Sequence, residues 1–279
     1  MIDAHHHFWE IARGDYGWLT PELRPLYRDF GPADLASVLA RHGLSRTILV
    51  QAAPTVAETE YLLALADAAS FVAGVVGWVD FTSRTAPDTI ARLAGNALLV
   101  GLRPMVQDIA DDDWLLRADL KPAVQAMIDH GLTFDALILP RHLPRLLRFV
   151  ERYPGLPVAI DHGAKPAIRD RAIESWRSNL AVLARHPKIR CKLSGLVTEA
   201  APGWSKEDMR PYCGILLDLF GPDRLMWGSD WPVVELAGGY DAWRTLSLEV
   251  LSPLNARGRE AVLGGNAAAF YLASRGRSV

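Results

Sequence analysis

Short apolar runs alternate along this chain with longer segments of helical period. The runs are "MIDAHHHF" at the start, "RTILVQA" (46–52), "VAGVVGWVD" (72–80), "ALLVGLRPM" (97–105), "LTFDALIL" (132–139), "LPVAIDH" (156–162), "IRCKLSG" (189–195) and "RLMWGSD" (224–230). They are nearly continuous in apolar character rather than alternating, the pattern of strands covered on both faces. The segments between them have readable helix ends. "GPADLASVLARHG" carries Pro32 and Asp34 in its first turn, apolar Leu35, Val38 and Leu39, and a His42-Gly43 stop. "KPAVQAMIDHG" repeats the design, while "LPRLLRFVERYPG" and "ESWRSNLAVLARHP" end in Tyr-Pro-Gly and His-Pro. Eight strands, each followed by a helix, predict an α/β fold: one (β/α)8, TIM-like barrel domain over 1–279. A doubly wound open sheet would carry a Gly-rich turn after the first strand. Here that strand runs into "HHHFWE", with no glycine before Gly14.

Composition narrows the function more than the fold. Half the residues are hydrophobic and 22% charged, and the formal net charge is -2. Nothing in that balance points to a nucleic-acid or anionic-membrane partner. No apolar run approaches the roughly 20 residues of a spanning helix, and the N-terminus lacks the basic start and apolar core of a signal peptide. Cys191 and Cys213 lie far apart without a partner motif, as expected of a reduced cytoplasmic protein. The sequence carries no signature of oligomeric state.

In such barrels the active site gathers at the C-terminal ends of the strands. The first strand ends in three histidines, and a tag remnant would carry more of them with a Gly/Ser linker. Strand residues two apart share a face, so His5 and His7 point to one side and His6 to the other. An H-x-H pair aims a chelate, or two hydrogen-bond donors, at one point. Later strands end in Gln51 (with Glu58 soon after), in Trp78 and Asp80, in Arg103, in Asp161-His162 (with Lys165 in "DHGAKP"), and in Ser229-Asp230. Singly, His162 reads as a satisfied core histidine and Asp230 as a turn cap before Pro232. A polar or titratable group at nearly every strand end is what points to a site. His42, His130 and His186 sit at helix C-termini, where an imidazole meets free carbonyls; His142 opens a helix and fits either role. There is no G-x-S-x-G elbow, and Cys191 lies inside an apolar strand, where a thiol is inert.

The stretches "IDAHHHFW", "VQAAPTVAETEYLLALA", "GVVGWVD", "VGLRPM", "IDHGAKP", "CKLSGLVTEA" and "FGPDRLMWGSDWPV" resemble the amidohydrolase superfamily. More narrowly they are similar to its lactonase-type branch, which includes L-fuconolactonases and related sugar-acid lactonases. The likeness runs in order from Met1 to about Leu272 and implies a distorted (β/α)8 barrel. It maps the family's H-x-H onto His5 and His7, its later histidine onto His162 and its final aspartate onto Asp230. Two-metal relatives use a bridging lysine on strand four and histidines on strands five and six. Here strand four offers Arg103, and "TFDALIL" offers no histidine. The resemblance therefore implies at most one divalent ion, zinc, on His5, His7 and Asp230, or none, since the branch includes metal-independent lactonases.

Hydrolysing an ester-like ring needs an activated water, a stabilised oxyanion and a proton for the leaving alkoxide. Asp230 is the expected base, its pKa raised by burial. His5, His7 and His162 would polarise the carbonyl directly or through a metal. Arg103, Gln51, Glu58, Trp78 and Lys165 would hold the substrate. Among nine tryptophans, Trp9, Trp78 and Trp231 stand beside site positions and are expected to line a sugar pocket. An unpaired Glu58 would repel an anion, so the expected substrate is a neutral sugar lactone such as L-fuconolactone, in carbohydrate metabolism. The alternatives are an aromatic-derived dicarboxylate lactone, a metal-dependent decarboxylation or amide hydrolysis, and a catalytically silent relative that only binds a sugar acid or lactone.

Overall fold

The computed structural model describes residues 1–276; residues 277–279, the end of the expected domain, lie outside the described residues. All eight expected strands form: β1 (Ile2–His6), β2 (Arg46–Val50), β3 (Val72–Gly77), β4 (Leu99–Leu102), β5 (Thr133–Ala136), β6 (Val158–Ile160), β7 (Ile189–Leu193) and β8 (Leu225–Trp227). They make one parallel sheet in the order β1 to β8. Two backbone hydrogen bonds bring its edges together at the C-terminal rim. His7 N–H donates to the Trp231 carbonyl (2.7 Å), and Asp230 N–H to that of His5 (2.8 Å). The fold is thus the (β/α)8 barrel, and the contacts that draw it round also draw the first strand's histidines to the last strand's aspartate.

Helices α1 (Pro32–His42), α2 (Val56–Ala68), α3 (Ala86–Ala94), α4 (Lys121–Asp129), α5 (Leu143–Arg152), α6 (Glu174–Leu183), α7 (Lys206–Phe220) and α8 (Gly239–Leu251) follow their strands in turn, with α9 (Ala256–Glu260) last. The sequence signals act as expected in α1, which stops at Gly43 in the left-handed region (φ 63). In α5, Leu146, Phe149 and Val150 are buried while Arg148 and Arg152 face solvent. Among the described residues no helix is long and apolar enough to cross a membrane.

Side-chain alternation along the strands feeds two cores. Ile48, Val50, Val100, Ala159 and Met226 face the interior and pack with Ala4 and with Phe270, Tyr271 and Leu272 of the C-terminal segment. Leu49, Leu99, Val158, Ile160 and Leu225 face the larger core shared with the helices. Each such buried Val, Leu, Ile, Met or Phe contributes about 1.5–3 kcal/mol in transfer free energy, so the strand ends are held on a rigid frame.

Candidate active site

Just past β6 and β8 the backbone takes conformations uncommon outside glycine: His162 has φ 52 and Asp230 φ 59. Such positions cost roughly 1–3 kcal/mol each and persist where surrounding structure holds them. Two glycines make room for the site. A Cβ on Gly195 would stand 2.3 Å from His162 Nδ1, and one on Gly228 2.7 Å from His5 Cβ. Asp3 ties the parts together, accepting from Ser229 N–H (2.8 Å) and His5 N–H (3.2 Å). His6 turns away as the alternation requires, with Nε2 on Thr47 Oγ1 (2.9 Å) and its ring against Phe8.

Asp230 Oδ1 lies 3.3 Å from His7 Nε2, 3.6 Å from His5 Nε2 and 3.9 Å from His162 Nε2. His5 Nε2 and His7 Nε2 are 3.2 Å apart. Above them opens a cavity of about 270 Å³ whose walls include His7, Arg103, His162, Lys165 and Asp230, with Trp18, Met105 and Asp108. That is near the small end of ligand cavities.

The charge states follow from burial and neighbours. Burial alone would raise the Asp230 carboxyl, but His162, His7 and Lys165 outweigh it and hold the pKa below the usual carboxylate range. The expected upward shift is therefore corrected: the neighbours of Asp230 favour its ionised form more than burial disfavours it. Burial pushes His162 down to about 4. Burial, then the charge of Lys192, push His5 well below its ordinary value. Both rings are neutral at pH 7.

Of the expected residues, Asp230, His162, His7, Arg103 and Lys165 meet at the cavity; the others do not. His5 is fully buried and lies beneath His7 rather than in the wall. Gln51 is also beneath: its Nε2–H donates to the Arg103 carbonyl (2.8 Å) and its backbone carbonyl accepts from the Arg103 guanidinium, so it holds Arg103 in place. Trp78 lines an adjoining, larger cavity of about 570 Å³ that shares Trp18, Met105 and Asp108 with the first. Trp9 and Trp231 are core, packed edge-on against Phe30 from two sides; the tryptophan in the wall is Trp18, its indole N–H on the Ala52 carbonyl (2.8 Å). His42 pairs with Asp241 on α8 (2.6 Å) rather than with a helix carbonyl. His142 takes the structural role, accepting from Leu139 N–H (3.1 Å) with Nε2 facing Asp112 (3.2 Å).

Glu58 needs the largest correction. It is not an unpaired carboxylate in the pocket, because both oxygens are taken by the Ala52 and Ala53 N–H groups (2.9 and 3.0 Å). Thr55 caps α2, its hydroxyl accepting from Glu58 N–H (3.0 Å), so "TVAE" is an N-terminal cap signature whose acid reaches back to the β2–α2 loop. Burial, opposed by those two N–H groups, raises the Glu58 pKa to about 7. A raised folded-state pKa gives stability that is complete below the unfolded value and lost as pH rises through about 7. Glu58→Gln should remove that slope and, with one acceptor lost, lower stability by about 1–3 kcal/mol. Urea melts of both proteins at pH 5 and pH 8 check this; parallel pH dependences would refute it.

Lys192 of β7 was missed by the sequence reading. Fully buried, it contacts Asp135 Oδ2 (2.5 Å), Asp161 Oδ1 (2.9 Å) and His5 Nδ1 (3.0 Å). Ser194, two residues on, bonds His162 Nδ1 (2.9 Å). A signal was present: Arg190, Lys192 and Ser194 alternate with apolar Ile189, Cys191 and Leu193.

Among the described residues, two groups of side chains stand close enough to hold a metal: His5, His7 and Asp230, or His5, Asp161 and His162. Donor atoms around a tetrahedral zinc, at about 2.0–2.1 Å from the ion, are roughly 3.3 Å from one another, so the first spacing suits one ion. Both groups draw on His5. His7 has the usual support of a metal-bound imidazole, its Nδ1–H on the Val50 carbonyl (2.8 Å). His5 does not fit that role, because its Nδ1 faces an ammonium.

Known proteins resemble the whole chain. It is 50% identical over 278 residues to an L-fucono-1,5-lactonase of Burkholderia ambifaria, covering 98% of this chain and 96% of that one. An L-fucono-1,5-lactonase of Burkholderia multivorans is 38% identical over 97% of this chain and 95% of its own. A crystal structure of a Burkholderia multivorans amidohydrolase with bound zinc superposes with a TM-score of 0.92 at 36% identity, covering 97% and 98%. The amidohydrolase family profile matches residues 2–272, and with these similarities it shows that the chain belongs to the amidohydrolase family.

Proposed function

We propose that this enzyme opens L-fucono-1,5-lactone, or a closely related neutral aldonolactone, to the aldonic acid. The lactonase relatives support ring hydrolysis, and one observation supports a neutral substrate. The cavity's cations are already paired, Arg103 with Asp161 (3.3 Å) and Lys165 with Glu199 (3.1 Å), while Asp108 and Asp230 line the same space. Among the described residues a dicarboxylate lactone would find no unpaired positive charge in that wall.

Ionised Asp230 takes a proton from a water as its oxygen attacks the lactone carbonyl carbon. The Arg103 guanidinium and the neutral His162 ring face the same cavity and stabilise the developing oxyanion. As the tetrahedral intermediate collapses, the ring C–O bond breaks and Asp230 returns its proton to the leaving oxygen. The product is the hydroxy acid, and the base is restored. Should one zinc bind, His7 and Asp230 would hold it, and it would polarise the carbonyl; the steps above need no ion. The free, deeply buried thiols of Cys191 and Cys213 support a cytoplasmic setting.

The charge states predict the pH profile. Asp230 must stay ionised and His162 neutral, so activity falls only as pH drops through about 4. kcat/KM should be flat from about pH 5 to 7.5. An acid limb at pH 6 or above would mean another base. The substrate reading is tested with a pH-indicator assay over neutral sugar lactones and dicarboxylate lactones. Turnover is expected with the neutral set, L-fucono-1,5-lactone foremost; turnover confined to dicarboxylates would overturn the assignment.

A further inference from the structure

We propose that Lys192 fixes the tautomer of His5, so that His5 presents Nε2–H towards His7 and Asp230 as a positioning residue and does not serve as a metal ligand. The proposal deepens the lactonase reading and rests on it for the catalytic consequence. An ammonium has three N–H donors and no acceptor. Around Lys192 stand three acceptors, Asp135 Oδ2 (2.5 Å), Asp161 Oδ1 (2.9 Å) and His5 Nδ1 (3.0 Å), all fully buried. His5 Nδ1 is therefore a lone pair, and the hydrogen of the neutral ring stands on Nε2.

On that side His5 Nε2–H faces the Asp230 carboxylate, with Oδ1 at 3.6 Å. His7 Nε2 lies 3.2 Å away, its ring held by an Nδ1–H bond to the Val50 carbonyl (2.8 Å). Two contacts compete. Asp161 Oδ1, which would accept from an Nδ1–H, lies 3.7 Å from His5 Nδ1, and Arg103 Nη1 lies 3.4 Å from His5 Nε2. Both distances are beyond the usual hydrogen-bond range, and the Arg103 nitrogen has Asp161 Oδ2 at 3.3 Å. The shorter Lys192 contact decides. The result is a directed chain from Lys192 through His5 to the His7 and Asp230 edge of the cavity.

Metal-bound histidines usually donate their second N–H to a carboxylate or carbonyl. Lys192 reverses that arrangement. To bind an ion through Nε2 while Nδ1 accepts from the ammonium, the His5 ring would have to lose its only proton, so zinc reaches this chain without its first histidine and is held weakly.

The direct test uses the unmodified enzyme, labelled with 15N-histidine and read by two-bond 1H–15N correlation, with His5 assigned by its loss in His5→Asn. The Nε2–H pattern is expected; an Nδ1–H or doubly protonated pattern overturns the proposal. A second arm compares zinc affinity, by competition with a chelating dye, between wild type and Lys192→Gln. The Gln oxygen can accept Nδ1–H and release Nε2, so affinity should rise about tenfold or more; unchanged or weaker affinity overturns it. In metal-depleted enzyme the same variant should lose about tenfold or more in kcat with KM little changed, since Lys192 does not line the cavity. A loss confined to KM contradicts the positioning role. Should Lys192→Gln not fold, the spectrum of the unmodified chain decides alone. Absence of lactone turnover in wild type would sink the functional reading while the tautomer measurement stood.

Discussion

Asp230→Asn should lower kcat by at least about a hundredfold, the scale of a lost acid–base group, while leaving the fold and substrate binding close to wild type. The substitution is close to isosteric, and asparagine tolerates the left-handed backbone at this position (φ 59). What disappears is the negative charge that His162, His7 and Lys165 stabilise, and with it the capacity to take a proton from water. Steady-state kinetics beside a thermal melt separate chemistry from folding. Near-normal kcat in a well-folded variant would remove Asp230 from the mechanism.

Arg103→Met should be nearly as damaging and, unlike the first change, should also weaken the fold. Arg103 is 3% exposed, and its guanidinium joins Asp161 Oδ2 to the Gln51 carbonyl. Removing one partner of a buried ion pair costs about 3–5 kcal/mol; Lys192 keeps one hold on Asp161, which favours the lower figure. Losing an oxyanion donor costs about a hundredfold or more in turnover. Arg103→Lys keeps the charge without the fork and should recover stability more than activity. Equal melts and equal kcat/KM across all three proteins would show that Arg103 neither braces the site nor acts in it.

The frame was readable because it rests on local rules. Eight apolar runs between capped helical segments give the barrel, and the rim rule then turns strand ends into a site, which is why His7, Arg103, His162, Lys165 and Asp230 meet. The misplaced residues share a cause. Gln51, Glu58, Trp9 and Trp231 lie near the site in sequence, but each is taken up by a backbone or core partner that only the fold supplies. Glu58 had a local warning in "TVAE". Lys192 had a local sign in its alternation with Arg190 and Ser194, but its importance depends on Asp135 of β5 and Asp161 after β6, brought together only when the sheet curls. The sign of the Asp230 shift was unreadable for the same reason: burial is a local inference, whereas the three partners that outweigh it come from β1 and β6 ends.

The most direct test follows L-fucono-1,5-lactone by 1H NMR, with metal-depleted wild-type enzyme, Asp230→Asn and buffer alone. Wild type should open the ring far faster than buffer, with Asp230→Asn at least about a hundredfold slower than wild type. A wild-type rate no greater than that of buffer would contradict the account.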